Sequence, residues 1–244
     1  MKKLIKGLHQ FQSDYFTRYH EIFEQLAHGQ NPRVLFITCS DSRVDPNLIT
    51  QSQVGDIFVI RNAGNIIPPF GAANGGEGAA VEYAIHALNI EHIVVCGHSN
   101  CGAMKGLLKI EKLRDEMPLV YEWLQHAEAT RRLIAENYGD RTGEDLIETT
   151  VAENVLTQLE NLKTYPIIHS RLFAGKLTLH GWVYHIESGD VHAYDPISHS
   201  YLPPQSLVSN YEPEESEIPP FHFPGARWLP PEQAERIYRG SPSK

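Results

Sequence analysis

The feature that most restricts the fold of this 244-residue chain is a pair of short β-branched runs that are apolar without alternation. They are RVLFIT at residues 33–38 and HIVVCG at residues 92–97. Strands that are apolar on both faces are typical of parallel sheets that carry helices on each side. A helical pattern, GEGAAVEYAIHALNI at residues 76–90, lies between them. This alternation predicts an α/β fold with a mainly parallel central sheet flanked by helices.

Further elements follow from local patterns. The run IFVIRN at residues 57–62 predicts a third, weaker strand, and two helical segments, YEWLQHAEATRRLIAENYG and EDLIETTVAENVLTQLENLKTY, come later. Gly139 is placed to end the first of these helices as a C′ glycine. The stretch KLTLHGWVYHIESGDVHAYD alternates and turns at Ser188-Gly189-Asp190, which predicts a hairpin and a last antiparallel strand.

The two ends of the chain are predicted to lie outside the sheet. Residues 1–28 form an N-terminal helical arm, because apolar residues recur there at three- and four-residue steps, and we expect it to pack on its own domain or on a partner subunit. Ten of the sixteen prolines fall in the last 49 residues. We therefore expect a catalytic domain at residues 29–196 and a Pro-rich C-terminal tail at 197–244. Its final EQAERIYRG is typical of a docking peptide, and the alternative is a tail that folds back on its own domain.

Composition excludes several partner classes. The chain carries 30 acidic and 21 basic residues, a formal net charge of −9, which disfavours nucleic acid as a partner. No apolar run approaches the roughly 18 residues that a membrane span needs. Its three cysteines are too few for a disulfide framework, so we expect a cytoplasmic, reducing location in which Cys and His together bind metal.

Three residues predict a metal centre. His98 and Cys101 form a His-x-x-Cys pair directly after one predicted strand, and Cys39 ends another. Ligands gather at the carboxyl ends of parallel strands, so we expect these three side chains to meet. Two thiolates and one imidazole suit Zn²⁺, and three protein ligands with one open position are typical of catalytic zinc.

A closed, structural zinc site would need a fourth ligand. Cys96 lies within the strand run, and we interpret it as a small buried apolar residue. Asp41 lies close enough to Cys39 in the sequence to reach the metal. The alternative is that Asp41 accepts a hydrogen bond from bound water while Arg43 grips its carboxylate and keeps it ionised and off the metal.

These motifs resemble a known family. CSDSRV, followed about sixty residues later by HSNCGA, with RNAGN and GAAVEYA between them, resembles the β-class carbonic anhydrases over residues 25–195. The resemblance implies an enzyme that hydrates CO₂ reversibly to bicarbonate and a proton. It also implies one Zn²⁺ per subunit on Cys39, His98 and Cys101, with Asp41 and Arg43 as the catalytic dyad.

The resemblance also implies a substrate pocket. Gln30 matches the glutamine donor of the constitutively open branch of the family, whereas the bicarbonate-inhibited branch has a tryptophan there. Phe58 matches the apolar wall, Tyr83 the pocket tyrosine, and the Gly102 backbone N–H a further donor. Gln30 and Tyr83 are implied to reach the partner subunit's site, so a homodimer or a higher even oligomer is the expected active form.

A narrower resemblance covers both ends of the chain. LIKGLHQFQSDYF, PNLITQSQVGDIFVIRNAGNIIPPFGAANGGEGAA and EQAERIYRG are similar to segments of the carboxysomal members of the class. This implies that the enzyme supplies CO₂ inside a carboxysome and that its tail binds the carboxysome scaffold protein. The stretch between the domain and the terminal peptide is short for that group.

Three other functions stay open at this point. A hydrolase of carbonyl sulfide or carbon disulfide would have the same metal ligands. A non-catalytic, zinc-stapled assembly component would need neither Asp41 nor Arg43. A nucleotide-binding module is suggested by GAANGGEGAA, but Val81 stands where the dinucleotide fingerprint needs Gly or Ala, so we interpret these glycines as packing residues.

Overall fold

The computed structural model describes residues 1–73 and 75–204, which form one mixed sheet with helices on both faces. The strands are β1 (Val34–Cys39), β2 (Ile57–Asn62), β3 (His92–His98), β4 (Thr178–Tyr184), β5 (Val191–Asp195) and β6 (Ser200–Leu202). The α-helices are α1 (Lys2–Gln10), α2 (His20–Ala27), α3 (Pro46–Thr50), α4 (Gly76–His86), α5 (Gly102–Leu107), α6 (Leu113–Glu116), α7 (Pro118–Leu124), α8 (Glu128–Asn137), α9 (Gly143–Lys163) and α10 (Pro166–Phe173).

The strand order β2-β1-β3-β4-β5-β6 confirms the predicted mainly parallel sheet. Strands β1 to β4 pair in parallel, whereas β5 and β6 are antiparallel. From β1 the chain passes to β2 on one side and then to β3 on the other. The gap between β1 and β3 is therefore the topological switch point, the place where open α/β sheets bind ligands.

The two faces of the sheet carry apolar clusters of different size. The main core includes Leu35, Ile37, Ile93 and Val95 and lies under α9. A Cβ on Gly97 would stand 2.8 Å from Val151 Cγ1, so α9 can approach β3 this closely only because residue 97 is glycine. A smaller cluster on the other face joins Phe36, Val94 and Cys96.

Cys96 therefore lies on the opposite face of the sheet from Cys39. It is fully buried, and burial raises the pKa of its thiol to about 12. Such a thiol stays protonated and apolar, which confirms its interpretation as a small core residue.

The N-terminal arm is helical, as predicted, but it is little buried by its own domain. Helices α1 and α2 contain no buried residue, and a single π-helical stretch, Phe11–Phe16, separates them. Leu4 is 65% and Leu8 68% exposed, so the apolar side of α1 is unpacked in the described chain. The arm contacts the domain near the start of β2, where Leu26 of α2 packs over Gly55.

Some local predictions need correction. The first of the two later helical segments is divided into α7 and α8 by a 3₁₀ turn at Gln125–Ala127. Gly139 follows α8 at the C′ position, but it is not among the glycines with positive φ, so it does not form a left-handed cap. The hairpin prediction is confirmed by β4 and β5, with Gly189 at φ +83° in their turn.

The sheet extends beyond the domain boundary that composition predicts. Strand β6 follows residue 196, and Tyr201 is fully buried. The division into an arm, a catalytic domain and a tail stays a prediction, and the docking peptide lies outside the described residues. Within 1–73 and 75–204, no helix combines the length and apolarity required to cross a membrane.

The glycines at the start of α4 allow close packing, in the part of the chain that the structure describes. Gly75 caps α4 with extended backbone, and a Cβ on Gly78 would stand 3.3 Å from Tyr165 Oη. This close approach supports the packing interpretation of these glycines over a nucleotide site.

A candidate metal centre at the switch point

The predicted ligands meet at the carboxyl ends of β1 and β3. Cys39 is the last residue of β1, His98 is the last residue of β3, and Cys101 directly precedes α5. Their ligand atoms all lie within 4.8 Å of one another, and all three side chains are buried. The predicted convergence of these three residues is thus confirmed.

The orientation of His98 fits a metal ligand. Its Nδ1 lies 2.9 Å from the carbonyl oxygen of Ser99, so this nitrogen carries the proton and donates it there. Nε2 is then left with its lone pair, and it is buried without a hydrogen-bond partner among the described residues. An unpartnered buried nitrogen facing two sulfurs is the arrangement that a bound metal ion would satisfy.

The thiols of Cys39 and Cys101 shift each other's pKa in opposite directions. A hydrogen bond from Cys101 is the main reason that the pKa of Cys39 is lowered, and the backbone N–H of Gly64 acts in the same direction against burial. The same contact raises the pKa of Cys101. These shifts favour the thiolate on Cys39, and a metal ion bound there would displace the proton of Cys101.

Asp41 lies beside this cluster and is held by Arg43. Arg43 Nε donates to Asp41 Oδ1 at 2.9 Å and Arg43 Nη2 donates to Oδ2 at 2.7 Å. The backbone N–H of Arg43 also donates to Oδ1, at 3.0 Å. These contacts hold the pKa of Asp41 well below its usual range, so the carboxylate is ionised. Its Oδ2 lies 3.8 Å from His98 Nε2, which places it at the edge of the cluster.

Two supporting contacts were missed by the sequence analysis. Arg61 donates from Nε to the carbonyl of Cys39 at 3.1 Å and from Nη2 to the carbonyl of Asp41 at 2.8 Å. Ser99 Oγ donates to Glu187 at 2.7 Å and accepts from the backbone N–H of Ile186. These hydrogen bonds fix the backbone that follows β1 and β3. They join residues that are remote in sequence, so local sequence patterns do not predict them.

The proposed substrate residues divide into two groups. Gly102 is the first residue of α5, where a backbone N–H has no acceptor inside the helix, and it adjoins Cys101. Phe58 pairs with Leu35, four residues before Cys39, which puts it about 13 Å along the strand from the ligands. The Tyr83 ring lies against that of Phe58 at a tilt of 39°, with ring centroids 6.1 Å apart.

Gln30 lies on the same side as Phe58. It is exposed and precedes the first residue of β1 by four positions, at the amino ends of the strands. Gln30, Phe58 and Tyr83 are therefore not brought to the ligands of their own chain.

Comparison with known proteins agrees with this site. The carbonic anhydrase family profile matches residues 34–191. The carbonic anhydrase of Synechocystis sp. is 58% identical over 99% of this chain and 100% of its own length, and that of Synechococcus elongatus is 55% identical over the full length of both. The chain therefore belongs to the carbonic anhydrase family.

Solved structures assign the class within that family. The β-carbonic anhydrase CcaA superposes with a TM-score of 0.83 at 67% identity, covering 84% of this chain and 99% of that one. A tetrameric β-carbonic anhydrase of Sordaria macrospora superposes with a TM-score of 0.69 at 30% identity, covering 79% of this chain and 97% of that one. This enzyme is thus of the β class.

Proposed function

We propose that the chain hydrates CO₂ reversibly at a Zn²⁺ ion held by Cys39, His98 and Cys101. The observation that carries the proposal is the meeting of three buried ligand atoms within 4.8 Å beside an ionised carboxylate. Two sulfurs and one imidazole are a donor set that suits zinc. Bound there, zinc would lower the pKa of a water molecule and so supply a nucleophile near neutral pH.

Asp41 orients that nucleophile. An ionised carboxylate can only accept hydrogen bonds, so it receives one from the attacking oxygen and directs that oxygen's lone pair at the carbon of CO₂. Arg43 makes a bidentate hydrogen bond to both carboxylate oxygens of Asp41. This contact would keep Asp41 from coordinating the metal ion. Asp41 would therefore act as the orienting acceptor and not as a further metal ligand.

The developing negative charge on CO₂ needs donors. The N–H of Gly102, at the start of α5, is the donor that the same chain supplies. Gln30, Phe58 and Tyr83 lie at the far ends of their own strands, so we assign these three roles to a second copy of the chain. A homodimer is then the smallest unit with a complete site.

Stopped-flow CO₂ hydration on the zinc-loaded chain tests the reaction, followed from about pH 6.5 to about pH 9. We expect activity that rises with pH and is abolished by a chelator. Carbonyl sulfide and carbon disulfide are offered in parallel, because a hydrolase would share the metal ligands. Zinc bound without CO₂ hydration at any pH would contradict the proposal and favour the zinc-stapled assembly component.

We propose further that the enzyme works inside a carboxysome and that its C-terminal tail binds the scaffold protein there. The support is the similarity of both ends to carboxysomal members and the full-length match to the Synechocystis sp. relative. That alignment spans 273 positions, so this chain is the shorter of the two. In a carboxysome-forming cell, full-length chain should co-fractionate with carboxysomes, and a chain ending at residue 204 should not. Equal partitioning of the two would contradict a docking role for the tail.

A further inference from the structure

The loop after β2 donates a hydrogen bond to one of the proposed metal ligands. The backbone N–H of Gly64 lies 3.4 Å from Cys39 Sγ and donates to it. Gly64 has φ +85°, and a Cβ there would stand 3.0 Å from Ala103 Cβ, so the loop can make this approach only with glycine. Hydrogen bonds to a thiolate sulfur tune how much charge it gives to a metal.

Two side chains from separate helices hold the peptide groups on either side of Gly64. Trp123 Nε1 donates to the carbonyl of Ala63 at 2.8 Å, and this carbonyl belongs to the same peptide group as the Gly64 N–H. Asn154 Nδ2 donates to the carbonyl of Gly64 at 2.9 Å. A donor bound to the carbonyl of a peptide group polarises the N–H of that group, so Trp123 both aims and strengthens the bond to sulfur.

Asn154 is itself held by a buried polar row on α9. Its Oδ1 accepts from Gln158 Nε2 at 2.9 Å and from Thr130 Oγ1 at 3.3 Å. Gln158 Oε1 accepts from the backbone N–H of Ile67 at 2.9 Å, and Asn161 Nδ2 donates to the Ile67 carbonyl at 2.9 Å. The row occupies positions i, i+4 and i+7 of the helix and follows the backbone of residues 64–67.

Burial makes this row costly to keep unless it is fully bonded. Asn154 and Gln158 are 1% and 0% exposed in the interior of the domain. An apolar helix face would pack the core without the desolvation penalty of buried amides. The side chains instead bond to the backbone of the loop that reaches Cys39, through Asn154 Nδ2, Gln158 Oε1 and Asn161 Nδ2.

We propose that Asn154 and Trp123 are positioning residues for the metal centre, which act by aiming the Gly64 N–H at the sulfur of Cys39. The inference rests on the proposed metal site. Trp123 holds the peptide group that carries the Gly64 N–H, and Asn154 holds the following one. Loss of either donor would let this backbone turn, so the sulfur would lose its hydrogen bond and would give more charge to a metal ion held there. Loss of a hydrogen bond that supports a metal ligand typically costs about 10- to 100-fold in metal affinity.

The test replaces zinc with Co²⁺ in the full chain and records the thiolate-to-cobalt charge-transfer band in the near ultraviolet. We expect this band at lower energy in Asn154→Leu and in Trp123→Phe than in the unsubstituted chain. Zinc release to a chelator should be faster by about tenfold in Asn154→Leu and by less in Trp123→Phe. Trp123→Phe keeps a ring at a half-buried position, so it decides the test if Asn154→Leu does not fold.

A matched control lies on the same helix. Thr150 is fully buried on α9, and its Oγ1 donates only within the helix, to Leu146 at 2.6 Å. Thr150→Val should lower thermal stability and leave the band unmoved. A band at its original energy in the folded Asn154 or Trp123 variants would overturn the proposal, because a merely structural role predicts that result. Absence of any thiolate band in the unsubstituted chain would instead contradict the metal site itself.

Discussion

The two ends of the parallel strands carry different parts of the predicted active site. At the carboxyl ends, the three ligands and Asp41 lie within a few ångströms of one another and are locked by hydrogen bonds from their own chain. At the amino ends, Gln30 and Tyr83 are exposed, Tyr83 by 49%, and they face no ligand of that chain. One chain therefore brings together the three proposed metal ligands, whereas it leaves its proposed substrate residues away from them.

Loss of a sulfur ligand at the carboxyl ends should have the largest effect. Cys101→Ser replaces a buried thiolate ligand by a hydroxyl that does not ionise near neutral pH, so we expect loss of zinc and of all measurable CO₂ hydration. Zinc per subunit is measured by elemental analysis of dialysed protein. Cys96→Ala is the matched control, since Cys96 lies on the other face, and it should retain zinc. Stoichiometric zinc in Cys101→Ser would remove Cys101 from the ligand set.

Loss of the carboxylate should separate metal binding from chemistry. Asp41→Asn keeps the size of the side chain but replaces one acceptor oxygen by an N–H donor, so we expect zinc to stay bound and turnover to fall by about 10²- to 10⁴-fold. Stopped-flow assays and zinc content on the same sample check this. Unchanged turnover at full zinc occupancy would contradict the orienting role of Asp41.

Mixed dimers test the division between the two strand ends. A Gln30→Ala chain and an Asp41→Asn chain are expressed together with different tags and purified through both. If Gln30 serves the partner's metal centre, one of the two sites in each mixed dimer is intact, and activity should recover to about half of the unsubstituted level. The two homodimers, assayed alone, are the controls. Activity no higher than that of the parents would mean that each chain uses its own Gln30.

The smallest effect concerns a buried acid remote from both strand ends. Glu153 on α9 is 5% exposed, accepts from Tyr138 Oη at 2.6 Å, and has its pKa raised by burial to about 7. Its ionisation in the folded state is unfavourable, so this residue lowers stability progressively as pH rises from about 4.5 to about 7, by at most about 3 kcal/mol.

Glu153→Gln keeps the acceptor oxygen and removes the charge. We expect the variant to unfold at higher denaturant concentration than the unsubstituted chain at pH 8 and at nearly the same concentration at about pH 4.5. Urea unfolding at the two pH values checks the difference. An equal shift at both would mean that packing, and not ionisation, sets the effect.

Much of the metal centre could be predicted from sequence alone because its determinants are local. Each part of it depends on neighbours within a few positions. These parts are the strand that ends at Cys39, the His98-x-x-Cys101 spacing at the end of β3, and Asp41 with Arg43 two residues later. Apolar runs without alternation required a parallel sheet, and a parallel sheet brings its carboxyl ends to one edge. The arm at residues 2–27 and the hairpin of β4 and β5 followed from periodicity in the same way.

Only the tertiary structure decided the contacts between residues distant in sequence. Arg61 on the carbonyls of Cys39 and Asp41, and Asn154 on the carbonyl of Gly64, join segments 20 to 90 positions apart. Hydrophobic periodicity does not predict such pairs, because a polar residue on a helix is expected to face solvent unless its neighbours in the fold are known. Tertiary structure also placed Phe58 about 13 Å along the strand from the ligands of its own chain. Sequence thus determined which residues are candidates for the chemistry, because their spacing is local, and packing decided which backbone supports them and which of them lie together in one chain.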